Sequence, residues 1–333
     1  MPSAVIFGCA GPTLSDEERA FFAEADPLGF IIFKRNVETP GQLRSLCADL
    51  RACVGRDDAP ILIDQEGGRV QRLQPPFWRA APPARTFGEL FRRDQSAGLR
   101  AIELNTRLIA HELTDVGVNV DCLPCLDVPV PGAHDVIGDR AFSDDVDVVI
   151  ACGRAAGDAL LAGGVLPIAK HVPGHGRAGA DSHHDLPRVN VSMDCLLETD
   201  FRPFRALCEM PVLMTAHIVF QALDPDRPVT QSLAAIRFLR RELGLDGFLM
   251  TDDLSMKALS GGFADRARTS LDAGCDCVLH CNGDMAEMVS VLEGTRPLSD
   301  DAARRWSNAS GLLQTPKPFD PDAALAELSA LLA

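Results

Sequence analysis

Between Lys170 and Pro187 the chain concentrates groups that can move protons. Four of its eight histidines, His171, His175, His183 and His184, lie in these eighteen residues with Asp181, Asp185, Lys170 and Arg177. Three glycines and two prolines in the same stretch preclude a long helix and predict a shaped loop. The run before it, 165–169, is apolar and strand-like, so the imidazoles and carboxylates follow the end of a buried strand.

The same juxtaposition recurs along the chain. Asp64 follows Ile61-Leu62-Ile63, Asp121 lies in an apolar run, His217 follows 212–216, and Asp252-Asp253 follow 248–251. One carboxylate at a strand end could simply cap the next helix. Five polar strand ends in succession point to a shared site, because barrel enzymes draw their reacting groups from the C-terminal ends of different strands. Two acidic groups able to flank a bond, a nearby histidine and several hydroxyl-binding residues suit hydrolysis of a hydroxyl-rich substrate such as a sugar. Asp64, with Arg69 and Arg72 on a glycine-rich turn, offers acceptors and forked donors for ring hydroxyls. The arginines could equally pair with Glu66 or another surface acid.

Eight short apolar runs alternate with helical patterns: 4–7, 29–33, 60–63, 118–123, 165–169, 212–216, 248–251 and 275–279. Their hydrophobicity is continuous rather than alternating, as parallel strands buried on both faces require. The count predicts a single (β/α)8 barrel spanning 1–333, with 320–333 a C-terminal helix packed on its outside through leucines 325, 328, 331 and 332. A doubly wound sheet is the alternative, but no glycine-rich fingerprint opens the first helix. Ser15-Asp16-Glu17-Glu18 predicts a capping box for a helix to about Ala25. Thr39-Pro40 starts the next, with Leu43, Leu46, Cys47 and Leu50 on one face. A proline-rich loop is expected over 74–85 and one helix over 196–208.

Of the 333 residues, 46% are hydrophobic and 24% charged, which suits a large globular core. A net charge of −15 opposes an extended phosphate-binding surface and so a nucleic-acid partner. No leader-like segment or membrane-span-length apolar run is present, and eleven cysteines, several in apolar strands, read as reduced core thiols. These features predict a cytoplasmic monomer away from membranes. Cys122 and Cys125 have a C-x-x-C spacing, but no second pair supports a redox or zinc site.

The motifs Asp64-Gln-Glu-Gly-Gly-Arg-Val-Gln-Arg72, Gly138-Asp-Arg140-Ala-Phe142, Lys170-His171-x-Pro-Gly-His-Gly with Asp181-Ser-His183, Met214-Thr-Ala-His217 and Thr251-Asp252-Asp-Leu-Ser-Met256 together resemble the β-N-acetylglucosaminidases of glycoside hydrolase family 3. They stand in that family's order across about 60–260. Val172 replaces the family's usual phenylalanine. The resemblance implies a TIM barrel and a two-step retaining mechanism, with Asp252 as nucleophile, His183 as general acid/base and Asp181 as its partner. It also implies that Asp64, Arg72, Arg140, Lys170 and His171 hold the N-acetylglucosamine unit. Many family members complete the site with a second domain; here the Asp-Ser-His loop would serve instead. Single-domain members act on peptidoglycan-derived anhydromuropeptides, and the expected substrate is a muropeptide or chitooligosaccharide, with no cofactor or metal. A phosphorylase using the same intermediate is the alternative. A zinc hydrolase built on His171, His175, His183, His184 and Asp181 is a further one, but it leaves the Asp64 and Asp252 motifs unexplained.

Overall fold

The computed structural model describes residues 1–179, 182 and 185–333. Eight strands run parallel around a closed barrel in chain order: Ser3–Gly8, Pro27–Ile32, Ile61–Ile63, Val120–Asp121, Leu166–Val172, Val212–Thr215, Phe248–Asp253 and Cys277–His280. The first pairs with the eighth, Val5 opposite Val278 and Phe7 opposite His280, and this pairing distinguishes a barrel from a doubly wound sheet. The strands are apolar because each is covered inside by its neighbours' side chains and outside by helices. Ile61, Leu62 and Ile63 are all at most 1% exposed. Each such side chain stabilises the fold by roughly 1.5–3 kcal/mol.

The local start signals act as the sequence predicts. Ser15 Oγ accepts from Glu18 N at 3.1 Å while Glu18 Oε2 accepts from Ser15 N at 2.9 Å, opening the helix Asp16–Ala25. Thr39 Oγ1 accepts from Gln42 N, and the helix Pro40–Val54 buries Leu43, Leu46, Cys47 and Leu50 against the barrel.

Other boundaries differ from expectation. A helix, Ala84–Arg93, starts directly behind Pro83 inside the end of the segment read as loop. The helix expected over 196–208 is two, Met193–Glu198 and Arg202–Ala206, broken where buried Asp200 accepts from Thr199 Oγ1 and Arg177 Nε. Helices Met285–Glu293 and Asp300–Ser310 follow the eighth strand. The last helix, Pro321–Leu332, lies on Gln95–Asp115, tied by Arg100 to Glu327 at 2.7 Å. It buries Ala324 and Leu328, whereas Leu325 faces solvent. Among the described residues, no helix is long and apolar enough to cross a membrane.

Candidate active site

A cavity of about 280 Å³ opens at the C-terminal ends of the barrel strands. That is the small end of the range for small-molecule clefts, about 300–1,000 Å³. Neighbouring residues of a regular strand point to opposite faces, yet Lys170 and His171 both line the cavity, as do Asp252 and Asp253. Both pairs sit at irregularities of the ladder. Lys170 lies opposite Met214 but Val172 opposite Thr215, and Met250 lies opposite Cys277 but Asp253 opposite Leu279. These irregularities re-aim the side chains, here into one space. All four residues therefore belong to their strands rather than to the loops that follow.

The third strand leads into a small antiparallel ribbon, Gln65–Gly67 with Val70–Gln71. Its turn uses Gly67 and Gly68 at φ 90° and 56°, and a β-carbon at Gly67 would stand 2.3 Å from Pro82 O. The ribbon returns the chain so that Arg72 Nη2 donates to Asp64 Oδ2 at 2.9 Å. Lys170 Nζ reaches Asp64 Oδ1 and Glu66 Oε1, each at 2.6 Å. Arg140 grips Glu66 with two hydrogen bonds, Nε to Oε2 at 2.9 Å and Nη2 to Oε1 at 2.8 Å. Thus the four expected sugar-binding residues Asp64, Arg72, Arg140 and Lys170 come together, with Glu66 at their centre. Burial alone would raise the acids, but the cations beside them prevail: Asp64 lies well below the usual carboxylate range, and Glu66 is lowered to about 2. The same carboxylates hold Lys170 and Arg140 firmly charged against the effect of burial.

Asp252 borders the cavity from the seventh strand, with Oδ1 accepting from Asp253 N at 2.8 Å. Burial disfavours its charge, yet His171 and His217 nearby lower its pKa, so it is an anion at neutral pH. Asp253 is otherwise engaged: its carboxylate accepts from Ser255 N at 3.0 Å and Cys281 N at 3.1 Å. His217 lies under the cavity, with Nδ1 on Thr230 Oγ1 and Nε2 on the Asp253 carbonyl. Asp121 is likewise beneath, accepting from Gln65 N, and burial raises its pKa. Neither of these two strand-end residues lines the space, and both support those that do.

His171 lines the cavity, and its Nδ1 lies 2.6 Å from Asp127 Oδ2. Asp127 is fully buried, and its other oxygen accepts from His175 N at 2.6 Å and His171 N at 3.2 Å. Asp127 carries no site signal in the sequence beyond following a strand end, and Glu66 none beyond its place within the 64–72 motif. Cys125, Asp127 and His171 place donor atoms within 4.8 Å of one another, a set that could hold a metal. Cys125 Sγ stands 3.2 Å from Asp127 Oδ2, so Oδ1 accepts two backbone amides and Oδ2 meets both the thiol and the His171 ring. The group is a hydrogen-bonded carboxylate–imidazole pair rather than an open ligand set.

Arg69 is on the rim, pairing with Asp139 at 3.1 Å and Asp135 at 3.5 Å, and does not join the grip. Asp181, His183 and His184 lie outside the described residues. Of the possible zinc ligands, His171 and His175 are described, and each ring already has a protein partner. Ser182, between Asp181 and His183 in the chain, is held by His175 Nε2 at 3.2 Å, and its carbonyl accepts from Ala258 N at 3.1 Å. Burial lowers the His175 pKa to about 4, which keeps that ring neutral.

Fold and cavity define a barrel enzyme with an ionised carboxylate facing a charged, hydrogen-bonding grip. The profile of the glycosyl hydrolase family 3 N-terminal domain matches residues 7–308. A beta-hexosaminidase of Methylococcus capsulatus is 37% identical over 327 residues, covering 96% of this chain and 94% of that protein. One of Alkalilimnicola ehrlichii is 39% identical over 304 residues, covering 89% and 86%. The structure of NagZ from Neisseria gonorrhoeae in complex with N-trifluoroacetyl-D-glucosamine superposes with a TM-score of 0.87 at 32% identity, covering all of this chain and 98% of the other. The chain belongs to glycosyl hydrolase family 3, and it is a glycoside hydrolase.

Proposed function

We propose that the chain is a retaining exo-β-N-acetylglucosaminidase that releases N-acetylglucosamine from peptidoglycan-derived muropeptides through a covalent intermediate. The observation that carries this reading is the charged grip of Asp64, Arg72, Arg140 and Lys170, with His171, opposite an ionised Asp252 in one small cavity. The beta-hexosaminidase relatives and the glucosamine derivative bound to the Neisseria protein support it. Polar grip residues take the ring hydroxyls, and the apolar side chains of Val136, Ile137, Met214 and Met256 offer a lining for an acetyl methyl.

In the first step Asp252 Oδ attacks the anomeric carbon, the glycosidic C–O bond breaks, and His183 gives its proton to the departing oxygen. A free imidazole has a pKa of about 6.5, so the carboxylate of Asp181, two residues away in the chain, would favour the charged donor if it pairs with the ring. In the second step the neutral ring of His183 takes a proton from water, the oxygen bonds to the anomeric carbon, and the Asp252 carboxylate leaves. No step calls for a cofactor. The test compares kcat/KM on aryl β-N-acetylglucosaminides with aryl β-glucosides, then an anhydromuropeptide with water or phosphate as acceptor. Preference for the N-acetyl sugar and free N-acetylglucosamine as product support the reading. Equal turnover of the glucoside, or a sugar phosphate as the main product, would overturn it.

A further inference from the structure

Asp127 has no place in the sugar grip or the nucleophile, yet three donors and the His171 ring converge on it. The backbone N–H groups of His171 and His175 point at Oδ1, and His171 Nδ1 and the Cys125 thiol meet Oδ2. A backbone amide can only donate, so Oδ1 accepts twice, and Oδ2 of this fully buried carboxyl already accepts from the Cys125 thiol, which leaves neither oxygen to donate. His171 Nδ1 must therefore carry the proton it shares with Oδ2. That fixes the tautomer: Nδ1–H faces the protein, and Nε2, on the opposite ring edge, is left for the cavity that His171 lines.

We propose that Asp127 is a positioning residue for the hydrolytic reaction, setting both the ring plane and the proton position of His171 so that Nε2 meets the sugar. The inference rests on the reading of His171 as a sugar-binding residue. Other groups around the ring cannot impose this. Lys170 is engaged with Asp64 and Glu66, and the His175 ring meets His171 edge-on with centroids 5.7 Å apart and bonds Ser182 instead. Asp252 stands on the cavity side.

Asp127→Asn separates shape from proton placement. The amides of His171 and His175 hold the side-chain oxygen where Oδ1 stands, which turns the NH2 group toward His171 Nδ1. Two donors cannot face each other, so the neutral ring must move its proton to Nε2. The variant should keep its fold by circular dichroism and lose about 10- to 100-fold in kcat/KM on an aryl β-N-acetylglucosaminide, the range for one mispaired hydrogen bond to the sugar. Long-range 1H–15N spectra above the ring's titration should show Nδ1–H for His171 in the parent and Nε2–H in the variant. In a His171→Ala background, Asp127→Asn should cost about twofold or less, because the ring it directs is gone. An equal loss in both backgrounds would make Asp127 purely structural and overturn the proposal. A parent spectrum with Nε2–H would overturn it even if the variant fails to fold. Unchanged activity in His171→Ala alone would instead remove the sugar-binding reading on which it rests.

Discussion

Glu66 occupies two arms of the Arg140 guanidinium, Nε and Nη2, at 2.9 and 2.8 Å, while its Oε1 also meets Lys170 at 2.6 Å. Arg140 Nη1 also donates to the Val136 carbonyl at 3.3 Å, so in the proposed reading Arg140 meets a sugar with one remaining N–H each at Nη1 and Nη2, and its orientation depends on an acid that itself need not touch substrate. Removing one partner of a buried ion network leaves the others uncompensated, which costs about 3–5 kcal/mol. Glu66→Gln should lose stability on that order in urea unfolding and raise KM at least about tenfold, since Arg140 and Lys170 lose their fixed positions. Unchanged stability with unchanged KM would show that Glu66 is not the centre of the grip.

Asp252 and Asp253 are adjacent acids that the fold treats differently. Both border the cavity, but Asp252 makes one backbone contact, whereas Asp253 also holds the turn to Ser255 and the residue after the eighth strand, Cys281. Asp252→Asn should retain stability and lose at least about 10⁴-fold in kcat, the scale of losing a nucleophile. Asp253→Asn should mainly lower the thermal midpoint. A slow fluorosugar should label Asp252, read by intact mass and peptide mapping. A label on Asp253 or Asp64 would reverse the assignment.

The pH dependence of stability has contributions of both signs, with His217 and His280 lowered in the same sense as His175, and Asp64, Asp127 and Asp252 in the same sense as Glu66. His175 has a folded pKa of about 4 against 6.5 unfolded, and Glu66 about 2 against 4.5. In both windows the unfolded chain binds more protons, so stability rises with pH. It should fall first as pH drops from about 6.5 toward 4 through His175, then from about 4.5 toward 2 through Glu66. Asp121, raised by burial, acts in the opposite sense: its contribution is lost as pH rises above its unfolded value. Urea midpoints measured from pH 8 to 3 test this, and Glu66→Gln should flatten the lower part of the curve only. A midpoint independent of pH between 6.5 and 4 would contradict the burial of a neutral His175.

The barrel was legible because each buried strand is a short apolar run and the first polar residue after it marks the mouth. Asp64, Lys170, His171 and Asp252 could be read that way. The bulges that turn both Lys170 and His171 inward were not legible, since register depends on the neighbouring strand rather than on local pattern. Glu66 was hidden for a similar reason: its partners lie 74 residues away at Arg140 and in the fifth strand at Lys170, and next to Arg69 and Arg72 it resembled a surface pair. Asp127 reads as the start of a connection, and only the fold brings the His171 and His175 amides to it. The missed break near Asp200 was likewise set at a distance, by Arg177.

His183 is the group on which the proposed acid step depends, and its chain neighbour Ser182 is anchored to His175 and, through Ala258, to the segment after Asp252. If His183 protonates the departing oxygen, His183→Ala should slow glycosylation strongly on a substrate whose leaving group is a second sugar. An aryl glycoside with an acidic phenol departs without help, so its glycosylation should suffer far less, while slowed deglycosylation lets the covalent intermediate accumulate as a burst. Proton transfer is worth about 10²- to 10⁴-fold, which sets the gap between the two substrate classes. Asp181→Ala should show the same pattern more weakly, because the imidazole remains but loses its partner. Single-turnover rates on both classes decide the matter. Equal slowing of the two by His183→Ala would mean that another group donates the proton, and His184 on the same loop would be the next residue to substitute, since His175 is buried, neutral and bonded to Ser182.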